Sequence, residues 1–202
     1  MSLADVSTPT FWEERYAEHA DGWEMGVPHP SLVHLVETTA PPRGRIAVPG
    51  CGRGHDARLL ARHGYDVVAF DFAPAALEAA RALAQRDGVD VTFEQRDVFT
   101  LGRDQVNAFD GLWEYTCYCA IDPRRRREYV DTVATILKPG GWLLACFFPI
   151  RRGGGGPPFP VAKAEVRRLL APRFRIEWAV PPPRPVPRRA GQEWMVLARK
   201  TC

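Results

Sequence analysis

Nowhere in the sequence do apolar residues run on for the ~18 positions that a membrane-crossing helix needs. Residues 1–9 also lack a basic segment followed by an apolar stretch, the mark of an export signal. The expectation is a soluble, cytoplasmic protein with no membrane partner. The cysteines, Cys51, Cys117, Cys119, Cys146 and Cys202, are odd in number and lack the spacing of a disulfide framework, so they read as reduced thiols. Cys117 and Cys119, read as strand residues, share a face, but no second cysteine pair or nearby histidine completes a four-ligand set. They read as packing. His19, His29, His34, His55 and His63 show no ligand spacing either, so no metal is expected.

Charge of neither sign predominates: 27 basic against 24 acidic residues, net +3, argues against disorder and against a nucleic-acid partner. No internal repeat or domain-splitting linker is evident in the 202 residues. One domain is expected, long enough to bury roughly two-thirds of the surface of its unfolded chain.

Pro9 to His19 places Trp12 and Tyr16 one helical turn apart on one face, and a second helix starts near Pro30-Ser31 and ends before Pro41-Pro42. From Arg45 the pattern alternates. Strands are predicted at 45–49, 66–72, 91–96, 109–116 and 142–148, with helices at 56–62, 74–85, 123–137 and 162–170. Such βαβ repetition builds an α/β fold, a doubly wound, mainly parallel sheet covered on both faces. The last two β-like runs, 174–180 and 193–199, have only a proline-rich stretch between them and should close the seven strands as an antiparallel hairpin.

The first strand runs into Gly50-Cys51-Gly52-Arg53-Gly54 and then a helix, which lets a ligand approach the backbone at the carboxyl end of the sheet. This pattern fits a nucleotide-like cofactor or a purely structural tight turn. A dinucleotide fingerprint needs G-x-G-x-x-G or A, and His55 occupies the last position, which argues against a nicotinamide-dependent oxidoreductase. Asp71 ends the next strand, where a carboxylate can accept both hydroxyls of an adenosine ribose. Asp97-Val98 ends the third; either Asp97 bonds an adenine amino group while Val98 covers the ring, or Asp97 caps the following turn. Arg124 to Arg127, spread around more than one helical turn, read as a solvated face. Arg151, Arg152, Arg188 and Arg189 could contact an anionic substrate or be surface charge. The Gly153-Gly154-Gly155-Gly156-Pro157-Pro158 loop follows the fifth strand at the ligand edge, as a lid or a plain connection.

With Trp12, Tyr16, Trp23, Gly26-Val27-Pro28-His29-Pro30, Val48 to Asp56, Gly64, Asp97-Val98-Phe99-Thr100, Cys119-Ala120-Ile121-Asp122-Pro123, Leu137-Lys138-Pro139-Gly140-Gly141 and Gly155 to Phe159, the chain resembles the thiopurine methyltransferase superfamily, in particular its plant halide/thiol branch. The resemblance spans residues 11–162. It implies a monomeric methyltransferase dependent on S-adenosyl-L-methionine, with residues 1–42 as a helical segment over the cofactor. By matching position, Trp12, Tyr16 and Trp23 would close over it, Gly50 would abut its methionine part, Asp71 would hold its ribose, and Asp97 and Val98 would flank its adenine, with Cys51, Gly52 and Phe72 also among the cofactor-binding residues. Tyr115 would lie near the sulfonium and orient the nucleophile, with Phe148 and Phe159 in the substrate pocket. Tyr16 stands where the plant enzymes have tryptophan, and Phe148 where they have tyrosine.

No Asn-Pro-Pro-Tyr type motif ends the fourth strand, which argues against methylation of nucleobase or amide nitrogens. The expected acceptor is a small soft nucleophile, a thiol or thiolate sulfur, with halide, thiocyanate, tellurite or selenium species as the alternative. A thiol with pKa ~8.5 is partly ionised near neutrality, so no catalytic base is assigned. A non-catalytic protein that binds the cofactor is the reading from another class.

Overall fold

The computed structural model describes residues 6–18 and 20–201. His19 and Cys202, and the start of the chain, lie outside the described residues. Two helices lead, α1 (Pro9–Ala17) and α2 (Pro30–Thr38), each with proline in its first turn, where a missing N–H costs nothing. There follow β1 (Arg45–Pro49), α3 (His55–Arg62), β2 (Asp66–Asp71), α4 (Pro74–Asp87), β3 (Thr92–Gln95), β4 (Phe109–Tyr115), α5 (Arg126–Ile136), β5 (Leu137–Phe147), α6 (Lys163–Leu170), β6 (Phe174–Val180) and β7 (Trp194–Lys200). No described helix is long and apolar enough to cross a membrane.

The strands form one seven-stranded sheet in the order β3-β2-β1-β4-β5-β7-β6. All neighbours are parallel except β7, which runs antiparallel to both β5 and β6. The expected doubly wound sheet and terminal hairpin are therefore both present. Side-chain alternation divides the core in two. Ile46, Val48, Val67, Ala69, Trp113 and Leu144 face α2 and α3. Their sequence neighbours Ala47, Val68, Phe70, Leu112, Leu143 and Ala145 face α5 and α6. Gly111 in β4 is required by packing: a Cβ there would lie 2.0 Å from the ring of buried Trp142, its partner on β5.

The structure departs from the sequence reading at four places. Cys117 and Cys119 do not lie on a strand: β4 stops at Tyr115, Thr116 turns the chain with φ 66°, and the Glu114 carboxylate accepts the Tyr118 amide at 2.8 Å. Two 3₁₀ turns were not foreseen, Val98–Arg103 and Pro187–Arg189. The expected helix at 123–137 begins as a 3₁₀ turn, and its last residues belong to β5. Arg124 to Arg127 are not all solvated, because Arg126 is buried, bonded to Glu165 at 2.8 Å and stacked on Tyr118.

Candidate active site

The strand order reverses between β1 and β4, and in an open α/β sheet ligands occupy the crevice beyond the carboxyl ends of such a pair. A cavity of about 680 Å³ opens there. Gly50, Cys51, Gly52, Asp71 and Phe72 line one wall, Asp97 and Val98 the next, and Tyr115 with Phe148 a third. Trp12, Tyr16 and Trp23 roof it. Of the residues that the resemblance assigns to the cofactor or the substrate pocket, Phe159 alone is not part of the lining. Its amide donates to the Cys119 carbonyl at 2.7 Å and its ring packs against Gly156, so the neighbouring Pro157 and Pro158 reach the cavity instead.

The glycine loop is shaped by close approaches. Gly50 has φ 60°, and a Cβ on it would lie 2.9 Å from the Cys117 Cβ; Gly54, φ 70°, caps α3 and would strike the Phe93 ring at 2.9 Å. Gly54 thus supplies the helix-to-strand contact that the dinucleotide fingerprint gives to its last glycine. The Asp71 carboxylate anchors this loop. Its Oδ2 accepts the Gly52 amide at 2.7 Å, and its Oδ1 accepts the amides of Phe72 at 2.7 Å and Ala73 at 2.9 Å. With about four lone-pair positions on a carboxylate, one remains, on Oδ2. Asp97 does cap its turn, Oδ1 accepting the Phe99 amide at 3.0 Å, and Oδ2 has no hydrogen-bond partner among the described residues.

The roof is held by charge. Trp23 packs edge-on against Trp12 and Tyr16, with centroids 5.6 and 5.7 Å away. Arg53, from the glycine loop, donates to Asp21 at 2.5 Å and Glu24 at 3.1 Å, and its guanidinium lies over the Tyr16 ring. Burial opposes ionisation of Glu24, but the His55 ring at 3.0 Å, the Gly26 amide and Arg53 outweigh it and hold the carboxyl near about 2. From the far end of the chain, Arg188 donates to the Glu24 carbonyl at 3.0 Å and Arg189 to the Trp23 carbonyl at 2.8 Å.

Arg189 is one of four arginines that the sequence leaves open between surface charge and a ligand contact. It is 4% exposed, lines the cavity, stacks on Phe148 with 4.7 Å to the ring centroid, and donates through Nη1 to the Tyr115 hydroxyl. No described carboxylate lies within ion-pair distance of it. Arg188 also lines the cavity, whereas Arg151 and Arg152 are exposed and outside the lining.

Behind Tyr115 lies a network that sequence reasoning missed. The Tyr115 hydroxyl donates to Glu193 Oε1 at 2.8 Å, and Glu193 Oε2 accepts the Val186 amide at 2.9 Å. His29 Nε2 lies 3.3 Å from the same Oε1, and the Cys146 sulfur 3.6 Å from Nε2. Since His29 Nδ1 accepts the Ser31 amide at 3.1 Å, the ring proton sits on Nε2 and is given to Glu193. The three donor atoms of His29, Cys146 and Glu193 converge within 4.8 Å, but with the Nε2 lone pair protonated they form a hydrogen-bonded cluster. Burial alone would raise the Glu193 carboxyl; His29, Tyr115 and the Val186 amide hold it below the ordinary range. The signal was available only as an acid directly ahead of the apolar run Trp194-Met195-Val196. Burial pushes the thiols of Cys51, Cys117 and Cys146 well up, and that of Cys119 to about 12, so they stay protonated.

Comparison with known proteins gives a concordant set. The family model described as thiopurine S-methyltransferase matches residues 7–181. A probable thiol methyltransferase 2 of Arabidopsis thaliana is 35% identical over 163 residues, 80% of this chain and 71% of that one. Thiocyanate methyltransferase 1 of the same plant is 34% identical over 185 residues, 90% and 81% of the two chains. The fold matches the solved structure of Burkholderia thailandensis 1,6-didemethyltoxoflavin-N1-methyltransferase, which holds S-adenosylhomocysteine, with a TM-score of 0.77 over 96% of this chain and 87% of that one at 22% identity.

Proposed function

The chain belongs to the thiopurine S-methyltransferase family and is a methyltransferase, and from that premise we propose that it moves the methyl group of S-adenosyl-L-methionine to the sulfur of a small thiol or thiolate. The observation that carries this reading is the pairing, in one cavity, of a glycine loop with two part-used carboxylates and a buried arginine that has no ion-pair partner among the described residues.

The first wall fits the cofactor. Gly50, Cys51 and Gly52 leave backbone exposed where its methionine part would lie, Phe72 lines the cavity beside Asp71, the unused Asp71 position would accept a ribose hydroxyl, and Asp97 Oδ2 with Val98 would hold the adenine. Helix α1 and the segment carrying Trp23 would cover it, whereas α2 packs under the sheet with α3 and takes no part in the roof. When bound, the cofactor supplies a methyl group activated on a cationic sulfonium. The protein's residues do the rest. Phe148, Trp12, Tyr16 and Trp23 would exclude water and hold an acceptor sulfur desolvated and oriented in the cavity. Arg189 places a positive charge beside the acceptor and favours a thiolate over a thiol, while Tyr115 lies on the same wall and orients an acceptor that still carries its proton. A single chain suffices for this assignment, since every residue named comes from it; we take the working unit as a monomer acting on small molecules.

Incubation with methyl-labelled S-adenosyl-L-methionine and a panel of alkyl and aromatic thiols, bisulfide, thiocyanate, iodide, tellurite and selenium species tests this. Labelled thioether is expected from the thiols. Tight binding of S-adenosylhomocysteine with no labelled product from any acceptor would instead establish a non-catalytic binder. Transfer to iodide or tellurite with none to thiols would move the assignment to the alternative acceptors.

A further inference from the structure

The arrangement behind the cavity wall has a direction. Tyr115 and Arg189 line the cavity, whereas Glu193 and His29 do not. Glu193 is 4% exposed and His29 0%. The Tyr115 proton points away from the cavity, because its hydroxyl donates to Glu193 Oε1 at 2.8 Å. The same oxygen accepts from Arg189 Nη1, which leaves its second lone pair without a partner among the described residues. Tyr115 therefore meets the acceptor as a hydrogen-bond acceptor and not as a donor. An anion gains nothing from such a group, but a thiol does: its S–H can bond to the free lone pair.

We propose that Tyr115 and Glu193 form a proton relay for un-ionised thiol acceptors, in which the thiol gives its proton to Tyr115 Oη as Tyr115 passes its own to Glu193 Oε1. This inference rests on the methyltransferase reading above. In the step, the S–H bond breaks and an Oη–H bond forms, the original Oη–H bond breaks and an Oε1–H bond forms, and the sulfur lone pair makes the new C–S bond as the methyl leaves the sulfonium. One proton moves from thiol to carboxylate and no oxidant or reductant is needed. Tyr115 is unchanged at the end, and Glu193 returns its proton to solvent as the site reopens.

Glu193 is a weak base, and that suits this role. A thiol is a far weaker acid than a carboxylic acid before methyl transfer. Its sulfur becomes a far stronger acid as the C–S bond forms and positive charge develops there. Proton transfer thus turns downhill within the step, and a carboxylate lying between the two extremes serves as general base without having to ionise the free thiol beforehand. His29 positions Glu193: with Nδ1 satisfied by the Ser31 amide, its Nε2 proton bonds Oε1 and holds the carboxylate in place. Arg189, on the other side of the hydroxyl, fixes which lone pair of Tyr115 stays open. Glu193 touches no substrate and acts only through Tyr115.

The test exploits acceptors that carry no proton. Thiocyanate is an anion at neutral pH and cannot use the relay, whereas an alkyl thiol such as 2-mercaptoethanol is mostly protonated. The measured quantity is the ratio of kcat/KM for the thiol to kcat/KM for thiocyanate, in the wild type, Glu193→Gln and Tyr115→Phe, with S-adenosylhomocysteine affinity measured by calorimetry as a check that the cofactor side is intact. General-base catalysis contributes about 10²–10⁴-fold, so the ratio should fall by at least about 10²-fold in both variants. Across thiols of different acidity, the variants should also favour the more acidic ones more steeply than the wild type does. A ratio unchanged in either variant, whatever the absolute loss of rate, overturns the relay, since a packing role would slow both acceptors alike. Should the wild type methylate neither acceptor, the methyltransferase reading of this pocket fails and the relay with it. If one variant does not fold, the other carries the same comparison.

Discussion

Replacing Asp71 by asparagine separates two duties that the wild-type carboxylate combines. Its oxygens accept three backbone amides, from Gly52, Phe72 and Ala73, and one acceptor position on Oδ2 is left for a ligand. The substitution keeps one carbonyl oxygen, which the tandem amides of Phe72 and Ala73 claim, and sets an NH₂ group against the Gly52 amide. A buried amide without a partner costs about 1–3 kcal/mol. For a chain of this size each kcal/mol is about 2–4 °C in Tm, so a fall of roughly 5 °C is expected by calorimetry. The ligand effect is independent of this. One hydrogen bond to a charged group contributes about 1.5–3 kcal/mol, or about 10- to 10²-fold in affinity. Because a loosened loop also weakens binding, the assay compares S-adenosylhomocysteine with its 2′-deoxy and 3′-deoxy analogues by calorimetry. With one free position, the wild type should lose that factor for one analogue and little for the other, and Asp71→Asn should no longer discriminate between them. Equal binding of both analogues and the parent by the wild type would refute the ribose assignment. An unchanged Tm in Asp71→Asn would refute the loop-anchoring argument.

Arg53→Ala removes the link between the glycine loop and Asp21 and Glu24 and should open the roof by about 1 kcal/mol. Chymotryptic cleavage near Trp12, Tyr16 and Trp23 should then be roughly fivefold faster than in the wild type and be suppressed by S-adenosylhomocysteine; equal rates without ligand count against a charge-held roof. Glu114, 2% exposed, has its carboxyl raised by burial to about 7, against the bonds from the Tyr118 amide and Tyr129. Its folded pKa exceeds the unfolded value, so it contributes stability below about pH 4.5 that is lost as pH rises through about 7, on the order of 3 kcal/mol. Urea midpoints should therefore fall between pH 5 and pH 8 more in the wild type than in Glu114→Gln, and parallel profiles would contradict this. Gly111→Ala sets a methyl 2.0 Å from a Trp142 ring that is pinned by its bond to the Pro42 carbonyl at 3.2 Å. The overpacking should cost about 3 kcal/mol and lower Tm by roughly 6–12 °C, and an unchanged Tm would show that the ring moves aside.

The sequence carried the frame of this fold because the frame is written in local periodicity. Ile46, Ala47 and Val48 alternate between two helix-covered faces, and the proline at the start of α2 and α4 marks each helix before any tertiary contact is known. The wall proposed for the cofactor is legible for a related reason: Gly50, Gly52 and Asp71 lie at the ends of adjacent strands, so topology brings them together. The other wall is not. Arg189 and Glu193 follow a proline-rich stretch without periodicity, and they meet Tyr115 and His29 only through the sheet order and the packing of α2, at sequence separations of 74 to 164 residues. Arg126 reads as one of four equivalent surface charges until Glu165 and Tyr118 are placed beside it. The Cys117-x-Cys119 spacing misled because a period of two presumes a strand, and Thr116 at φ 66° ends it one residue too soon.

Strand β7 follows β6 in the chain but sits inside the sheet, between β5 and β6. A ribosome that has just finished β6 has produced a strand with no neighbour, since β7 is its one partner, and an edge of β5 that is equally bare. Until β7 is in place, β6 and the facing side of β5 are two unpaired edges open to other chains. The same late stretch brings Arg189 and Glu193. A fold without β7 has the glycine loop beside β1 and β2 but lacks these two charged residues on the opposite wall. Insertion of β7 is thus the step that joins the two walls of the cavity, and mutations that slow it should lower the yield of active enzyme more than they lower the stability of what is recovered.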